Sequence, residues 1–218
     1  LEFRRVLFRS ARAIALKPDY AEAYSNRGIA LYECNRIDEA LEDYARAIAL
    51  KPDYADAFYN RGIAQAKRLR FDEALASLDA VLALKPDDVS AIGNRGGVLC
   101  DLLRMDEALA EYERALALKP DASDILYNYG VALLNLLRFD EAAAEIGRAI
   151  ASKPDYPEAY TTRGMISLIQ GRYREGWEDY EWRNASKSAK KDQPHFDLPV
   201  WRGDRKSTRL NSSHITIS

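Results

Sequence analysis

The sequence has little of what active sites and metal centres are made from. It contains two histidines and two cysteines among 218 residues, and no GxSxG, HExxH or glycine-rich phosphate loop. Cys34 and Cys100 are far apart and form no CxxC pair, which predicts reduced thiols and a cytoplasmic location. We therefore predict no enzyme, no catalytic residue, no metal site and no cofactor.

Long apolar runs are also missing. No stretch approaches the ~18 consecutive apolar residues that a membrane-spanning helix needs. The sequence thus predicts no membrane association. Its apolar content of 47% nevertheless suits a folded protein and excludes a disordered one.

The two ends of the chain differ from the rest in composition. Residues 1–10 read LEFRRVLFRS and residues 204–214 read DRKSTRLNSSH; codons exist for which one segment is the reverse complement of the other. Both resemble translated sequencing adapter, so we exclude residues 1–10 and 204–218 from the fold. The alternative, a native basic tail, gives no reason for this complementarity. Without the two segments the formal net charge falls from −2 to −6, which argues against nucleic-acid binding.

What the sequence does contain is a proline at a fixed phase. The tripeptide Lys-Pro-Asp recurs every 34 residues, starting at Lys17, Lys51, Lys85, Lys119 and Lys153. Such self-similarity indicates an array in which each repeat packs on its neighbours. We predict a truncated repeat at 11–20, full repeats at 21–54, 55–88, 89–122 and 123–156, a divergent fifth or capping repeat at 157–190, and a junction segment at 191–203.

Each repeat holds two apolar-periodic segments, which in the first full repeat cover about 20–34 and 37–50. Their three- and four-residue spacing predicts two helices rather than strands. Position eight of every repeat, counted from Ala21 and its equivalents, is glycine, and position twenty is alanine in the four full repeats. These small residues predict close packing of the two helices, with large residues at positions four and twenty-four filling the space between successive pairs. Acids such as Asp38 are expected to cap the second helix.

With proline at position thirty-two, this pattern resembles the tetratricopeptide repeat over about residues 11–186. The resemblance implies an all-α fold, a right-handed α-solenoid of helix-turn-helix repeats. It also implies a protein–protein interaction scaffold that binds a peptide or protein segment in a concave groove lined by the first helices. A purely architectural or oligomerising array is the alternative, and the sequence does not predict the oligomeric state.

Asparagine occupies position six, a predicted groove position, in every full repeat: Asn26, Asn60, Asn94 and Asn128. A ladder of amides provides donors and acceptors for the main chain of an extended peptide. Apolar and aromatic contacts are expected from Tyr59, Tyr127, Tyr32 and Ile29. The ladder resembles that of O-linked N-acetylglucosamine transferases, which holds peptide substrates. The alternative is that duplication alone repeated four solvated asparagines.

Position seven is arginine in four repeats: Arg27, Arg61, Arg95 and Arg163. Two interpretations are open. Each arginine packs its stem between helices and pairs with an acid such as Asp43, or the row of guanidinium groups recognises anions. The acidic surroundings favour the first interpretation.

The array changes character near its end. Residues 176–183 (GWEDYEWR) and 199–203 (PVWRG) resemble the segment that joins tetratricopeptide repeats to a glycosyltransferase domain in many bacterial proteins. This resemblance implies an alternative function, the substrate-presenting arm of a glycosyltransferase whose catalytic domain is absent from this chain. A capping helix followed by an ordered tail explains the same residues without a glycosyltransferase.

Overall fold

The computed structural model describes residues 2–185, and every regular element within that range is a helix. The predicted all-α class is therefore confirmed. The chain divides into two compact blocks, an N-terminal block (Leu1–Pro120) and a C-terminal block (Asp121–Ser218). The predicted junction at 191–203 and the excluded tail at 204–218 lie outside the described residues.

The N-terminal block contains α1 to α7. Their bounds are α1 Glu2–Leu16, α2 Ala21–Glu33, α3 Ile37–Leu50, α4 Ala55–Lys67, α5 Phe71–Leu84, α6 Val89–Asp101 and α7 Met105–Leu118. The main contacts join α2 to α3, α4 to α5 and α6 to α7 as antiparallel pairs. Among the first helices, α2 contacts α4 and α4 contacts α6, so residues at one register of neighbouring first helices lie near each other.

The C-terminal block contains α8 to α11 and a short 3₁₀ helix. Their bounds are α8 Ser123–Asn135, α9 Phe139–Ser152, α10 Pro157–Ile169, α11 Tyr173–Tyr180 and the 3₁₀ helix Glu181–Ala185. Helix α8 pairs with α9 and α10 pairs with α11. The Trp182 ring of the 3₁₀ helix stacks on Tyr160 of α10 with centroids 4.3 Å apart, which holds the last described turn against the final pair.

The glycines at position eight are sites of close helix approach, as predicted. A Cβ added to Gly96 would lie 2.9 Å from Cε1 of Tyr112, and one added to Gly62 would lie 3.1 Å from Cγ of Leu78. The residue at position twenty-four therefore covers the glycine of its own pair. This contact within the pair was not predicted, and Tyr44 also belongs to a buried cluster with Ala64 of the next pair, as expected for position twenty-four.

The starts of the second helices correct another prediction. The N-cap residue of α3 is Arg36, without a capping side-chain hydrogen bond, and Asp38 does not cap. Instead Arg36 makes a two-pronged contact of 2.6 Å with Glu39 in the first turn, and α7 and α9 repeat this arrangement. The glutamate in the first turn of each of these three helices therefore forms an ion pair, and its charge still favours the positive end of the helix dipole.

The turn between the two helices of a pair places one residue in the left-handed region. That residue is Asn35 or Gly171 in two pairs, but Leu69, Leu103 and Leu137 have φ of 59° in the others. These three leucines are also highly exposed, at 71–79%. Three bulky side chains thus occupy a backbone conformation that glycine or asparagine adopts more easily.

Helix α1 includes residues 2–10, which belong to the segment that we excluded. Its Leu7 packs against the buried cluster that contains Leu31, Ile37 and Tyr44, so this segment is part of the N-terminal block. Among the described residues no helix combines the length and apolarity of a membrane span. Over the same residues, no group of histidine, cysteine or acidic side chains is arranged to hold a metal ion.

Candidate functional site

The surface predicted to bind a peptide is built from the first helices. Asn26 on α2 is exposed and Asn60 on α4 is partly exposed. Neither side chain makes a hydrogen bond to another residue in the described range 2–185. Because α2 and α4 are in contact, the two amides stand at the same register of neighbouring helices with donors and acceptors unused.

Asn94 on α6 differs from these two asparagines. Its Nδ2 donates to the Tyr59 hydroxyl at 2.8 Å and to the carbonyl oxygen of Ser90 at 2.9 Å. Both hydrogens of this amide are therefore used inside the N-terminal block. Tyr59 is itself partly buried, and this burial raises the pKa of its hydroxyl. The hydrogen bond holds Tyr59 against α6. The hydroxyl of this predicted contact residue is therefore already used within the protein.

Tyr32 and Ile29 complete the predicted site in the N-terminal block. Tyr32 packs against the buried cluster near Ile37, and the ammonium group of Lys67 lies 4.5 Å from its ring centroid. Burial raises the pKa of Tyr32. Ile29 is 40% exposed. Of these two residues, Ile29 presents the more accessible apolar surface.

In the C-terminal block, Asn128 on α8 is exposed. It forms no side-chain hydrogen bond among the residues that the structure describes. The neighbouring Tyr127 has its hydroxyl 3.3 Å from Oγ1 of Thr162, and its ring lies 5.2 Å from that of Tyr156. Tyr127 and Thr162 thus repeat, within this block, the contact that Tyr59 makes with Asn94.

The arginines at position seven mostly form ion pairs with acids sixteen residues later. Arg27 donates from Nε and Nη2 to Asp43 at 2.7 and 2.6 Å, and this bond raises the pKa of Arg27. Arg95 contacts Asp79 and Glu111, and Arg163 contacts Asp179. The interpretation that these arginines pair with acids is confirmed for these three residues. Their guanidinium groups are used by acids of the same protein, which argues against a row of anion-binding groups.

Arg61 is the exception in this register. The residue sixteen positions later is Ser77, whose hydroxyl accepts from Arg61 Nε at 3.0 Å. Sequence reasoning missed this difference, although the signal was present. Position twenty-three reads Asp43, Ser77, Glu111, Glu145 and Asp179 along the five repeats.

The lysines of the Lys-Pro-Asp tripeptides also make contacts. Lys51 lies 3.5 Å from Glu22 and Lys85 lies 3.1 Å from Asp56, each acid standing in the first turn of a first helix. The Lys51 ammonium is also 4.9 Å from the Tyr54 ring centroid. In these two repeats the lysine therefore links the end of the helix pair to the start of its own first helix.

Two parts of the sequence match models of one repeat family. Residues 29–68 match the model described as "TPR repeat", and residues 104–166 match that described as "Tetratricopeptide repeat". These two stretches of the chain contain tetratricopeptide repeats. Neither model describes a catalytic domain. No curated protein matches the sequence.

Solved structures show the same repeat fold. PilW, a type IV pilus biogenesis factor, superposes with a TM-score of 0.78 at 20% identity, covering 87% of this chain and 90% of PilW. YrrB, described as a TPR protein with an unusual peptide-binding site, gives 0.59 at 21% identity over 84% and 93% of the two chains. MamA from Desulfovibrio magneticus RS-1 gives 0.63 at 20% identity over 79% and 96%. These similarities confirm the predicted solenoid class of tetratricopeptide repeats.

Proposed function

We propose that the protein is an interaction scaffold that captures an extended peptide or protein segment on the first helices of its repeats. The observation that carries this proposal is the pair Asn26 and Asn60. Their amides occupy one register of two contacting helices, are accessible, and have no partner within the described residues. An extended main chain offers alternating carbonyl and amide groups, which such side chains bind without regard to sequence.

Exposed apolar surface next to the amides supports the same conclusion. Ile29 lies one helical turn from Asn26 on α2 and keeps 40% of its surface exposed. YrrB, which shares this fold, is a TPR protein with a peptide-binding site. Asn128 has the same register in the C-terminal block, and we propose an equivalent role for it there. The free thiols Cys34 and Cys100 support the proposed cytoplasmic location.

The proposal is tested with a displayed library of random peptides selected on the wild-type protein. Selected peptides are then synthesised, and their affinities are measured by fluorescence anisotropy. We expect binders without a strong consensus, since main-chain groups carry the recognition. The Asn26→Ala/Asn60→Ala variant should bind about 10-fold or more weakly, because each lost hydrogen bond contributes about 0.5–1.5 kcal/mol.

A matched control changes two exposed residues of a second helix. Glu42→Ala/Arg46→Ala on α3 keeps the net charge and leaves the first helices unchanged. This control should bind the peptides like wild type. The two double variants should unfold at similar denaturant concentrations. Equal affinity of the asparagine variant and wild type would remove the amides from the binding site.

The glycosyltransferase arm remains as a second candidate. Gly176 and Trp182, which belong to the segment that carries this resemblance, are well packed in the C-terminal block. Gly176 accommodates Leu168 so closely that an added Cβ would meet it at 2.8 Å. Sequencing the intact gene downstream of the codon for residue 203 decides between the two candidates. A downstream glycosyltransferase domain supports a substrate-presenting arm, and a stop codon supports a free-standing scaffold.

A further inference from the structure

Arg61 is a partly buried cation whose repeat lacks the acid that pairs with the equivalent arginines. Arg27, Arg95 and Arg163 each contact at least one carboxylate within 3 Å. Arg61 forms no ion pair with any residue that the structure describes. The substitution responsible is Ser77, which is fully buried at the place where the other repeats carry aspartate or glutamate.

The groups around Arg61 cannot supply the missing charge. The Ser77 hydroxyl accepts from Arg61 Nε and donates to Oε1 of Gln65 at 2.6 Å. Gln65 in turn donates from Nε2 to Glu73 at 3.2 Å. Glu73 acts on Arg61 only at longer range and raises its pKa less than burial lowers it. The neutral pair of Ser77 and Gln65 thus stands between the guanidinium and its nearest acid in this network.

The remaining surface of the guanidinium defines what could bind there. One face lies over the Phe58 ring, with Cζ 5.0 Å from the centroid, and the Nε edge is used by Ser77. The Nη1 and Nη2 groups form the free end of the planar fork and have no acceptor in the described part of the chain. A carboxylate matches this fork with two parallel hydrogen bonds.

We propose that Arg61 binds a carboxylate of the captured segment through Nη1 and Nη2, so that the partner supplies the acid missing at position twenty-three. This inference rests on the proposed peptide capture and adds a preference for an acidic side chain or a C-terminal carboxylate. A singly charged carboxylate suits the site better than a phosphate, because Glu73 and the acidic array around it repel a second negative charge.

The test follows the Nε–Hε signal of Arg61 by ¹⁵N NMR during titration with capped single residues. N-acetyl-glutamate N-methylamide presents a side-chain carboxylate, N-acetyl-alanine presents a C-terminal one, and N-acetyl-glutamine N-methylamide is the neutral control. We expect a saturable shift of the Arg61 signal with one or both carboxylates, and none with the glutamine compound. The Arg27 signal, already paired with Asp43, should stay in place.

A variant that places an acid at position twenty-three of this repeat provides the second part of the test. Ser77→Asp should neutralise Arg61 from within and weaken carboxylate binding by about 10-fold or more, since hydrogen bonds to a charged group are strong. It should also raise the denaturant concentration at which the protein unfolds. Ala83→Glu adds a similar charge at an exposed position of the same helix, and it should leave the titration unchanged.

Three results would overturn the inference. They are no shift with either carboxylate, an equal shift at Arg27, and an undiminished response in Ser77→Asp. The wild-type titration remains decisive even if Ser77→Asp fails to fold. A capped single residue does not span the asparagines, so Asn26→Ala/Asn60→Ala should keep the Arg61 response. Loss of peptide capture and loss of carboxylate binding are therefore distinguishable.

Discussion

The Asn94 side chain donates a hydrogen bond of 2.8 Å to the hydroxyl of Tyr59, 35 residues earlier in the chain. This bond joins the first helices α4 and α6 of two successive repeats. Tyr59→Phe should lower the free energy of unfolding by about 0.5–1.5 kcal/mol, because the amide loses a partly buried partner. Tyr54→Phe, whose hydroxyl makes no hydrogen bond among the described residues, should change stability little. Urea unfolding of both variants measures the difference.

Two adjacent glycines of α6 should respond oppositely to alanine. At Gly96 an added Cβ lies 2.9 Å from the buried Tyr112 ring, whereas at Gly97 it lies 3.8 Å from the Tyr112 hydroxyl oxygen. Gly96→Ala should cost about 1–3 kcal/mol through overpacking. Gly97→Ala should gain about 0.5–1 kcal/mol through helix propensity. Thermal unfolding of the two variants should move in opposite directions. Two shifts of the same sign would contradict the described packing of the pair.

Replacing a leucine that has a left-handed backbone conformation by glycine should stabilise the protein. Leu103 has φ of 59° and is 79% exposed, so Leu103→Gly removes strain without emptying a core site. We expect a gain of about 0.5–1 kcal/mol, the difference between the left-handed penalty and the extra chain entropy of glycine. Leu102→Gly, at an ordinary φ of −82°, should destabilise instead. Chemical denaturation midpoints of the two variants provide the comparison.

Stability should fall at alkaline pH. Burial raises the pKa of Tyr44 and Tyr112, whereas an unfolded tyrosine ionises at about 10. The folded state therefore holds these protons after the unfolded state has released them. The contribution to stability is complete below about pH 10 and is lost as pH rises further. Unfolding curves between about pH 9 and 11 should show this decline, because these values lie roughly one unit on either side of the pKa of an unfolded tyrosine.

The tyrosine assignment has its own check. Tyr44→Phe removes one of the raised ionisations, so the stability of this variant should decline less steeply above about pH 10 than that of wild type. The absorbance of tyrosinate shows whether tyrosine ionisation causes the loss of stability. The buried tyrosines should ionise together with unfolding rather than before it. Early ionisation of every tyrosine in the folded protein is the contrary result.

Much of the fold follows from local rules that the sequence displays. Proline at a fixed phase separates the helix pairs, and glycine at position eight identifies the close contact within each pair. The pairing of Arg27 with Asp43 was also predictable, because an arginine and an acid sixteen residues later recur together in three of the five repeats. These features depend on positions within one repeat, so their spacing is constant and visible along the chain.

The remaining features depend on contacts or conformations without a sequence signature. The Tyr59–Asn94 bond joins different repeats, and only some repeats carry tyrosine at that position. The leucine at Leu103 gives no hint of a left-handed turn, since glycine or asparagine is the usual signal there. For the candidate site, the register of Asn26 and Asn60 was predictable. The internal use of Asn94 was not, because it depends on which side chain the neighbouring helix presents.

Each position-eight glycine is packed against a residue of its own repeat, and this packing has an evolutionary consequence. Tyr112 fits Gly96, and Leu78 fits Gly62, so each pair carries its own matched volume. A whole repeat can therefore be moved or copied as a cassette with its main internal contact intact. Recombination between the two helices of a pair would bring mismatched volumes together. Crossovers in such a gene should survive where Lys-Pro-Asp is encoded, between pairs, and be lost within them.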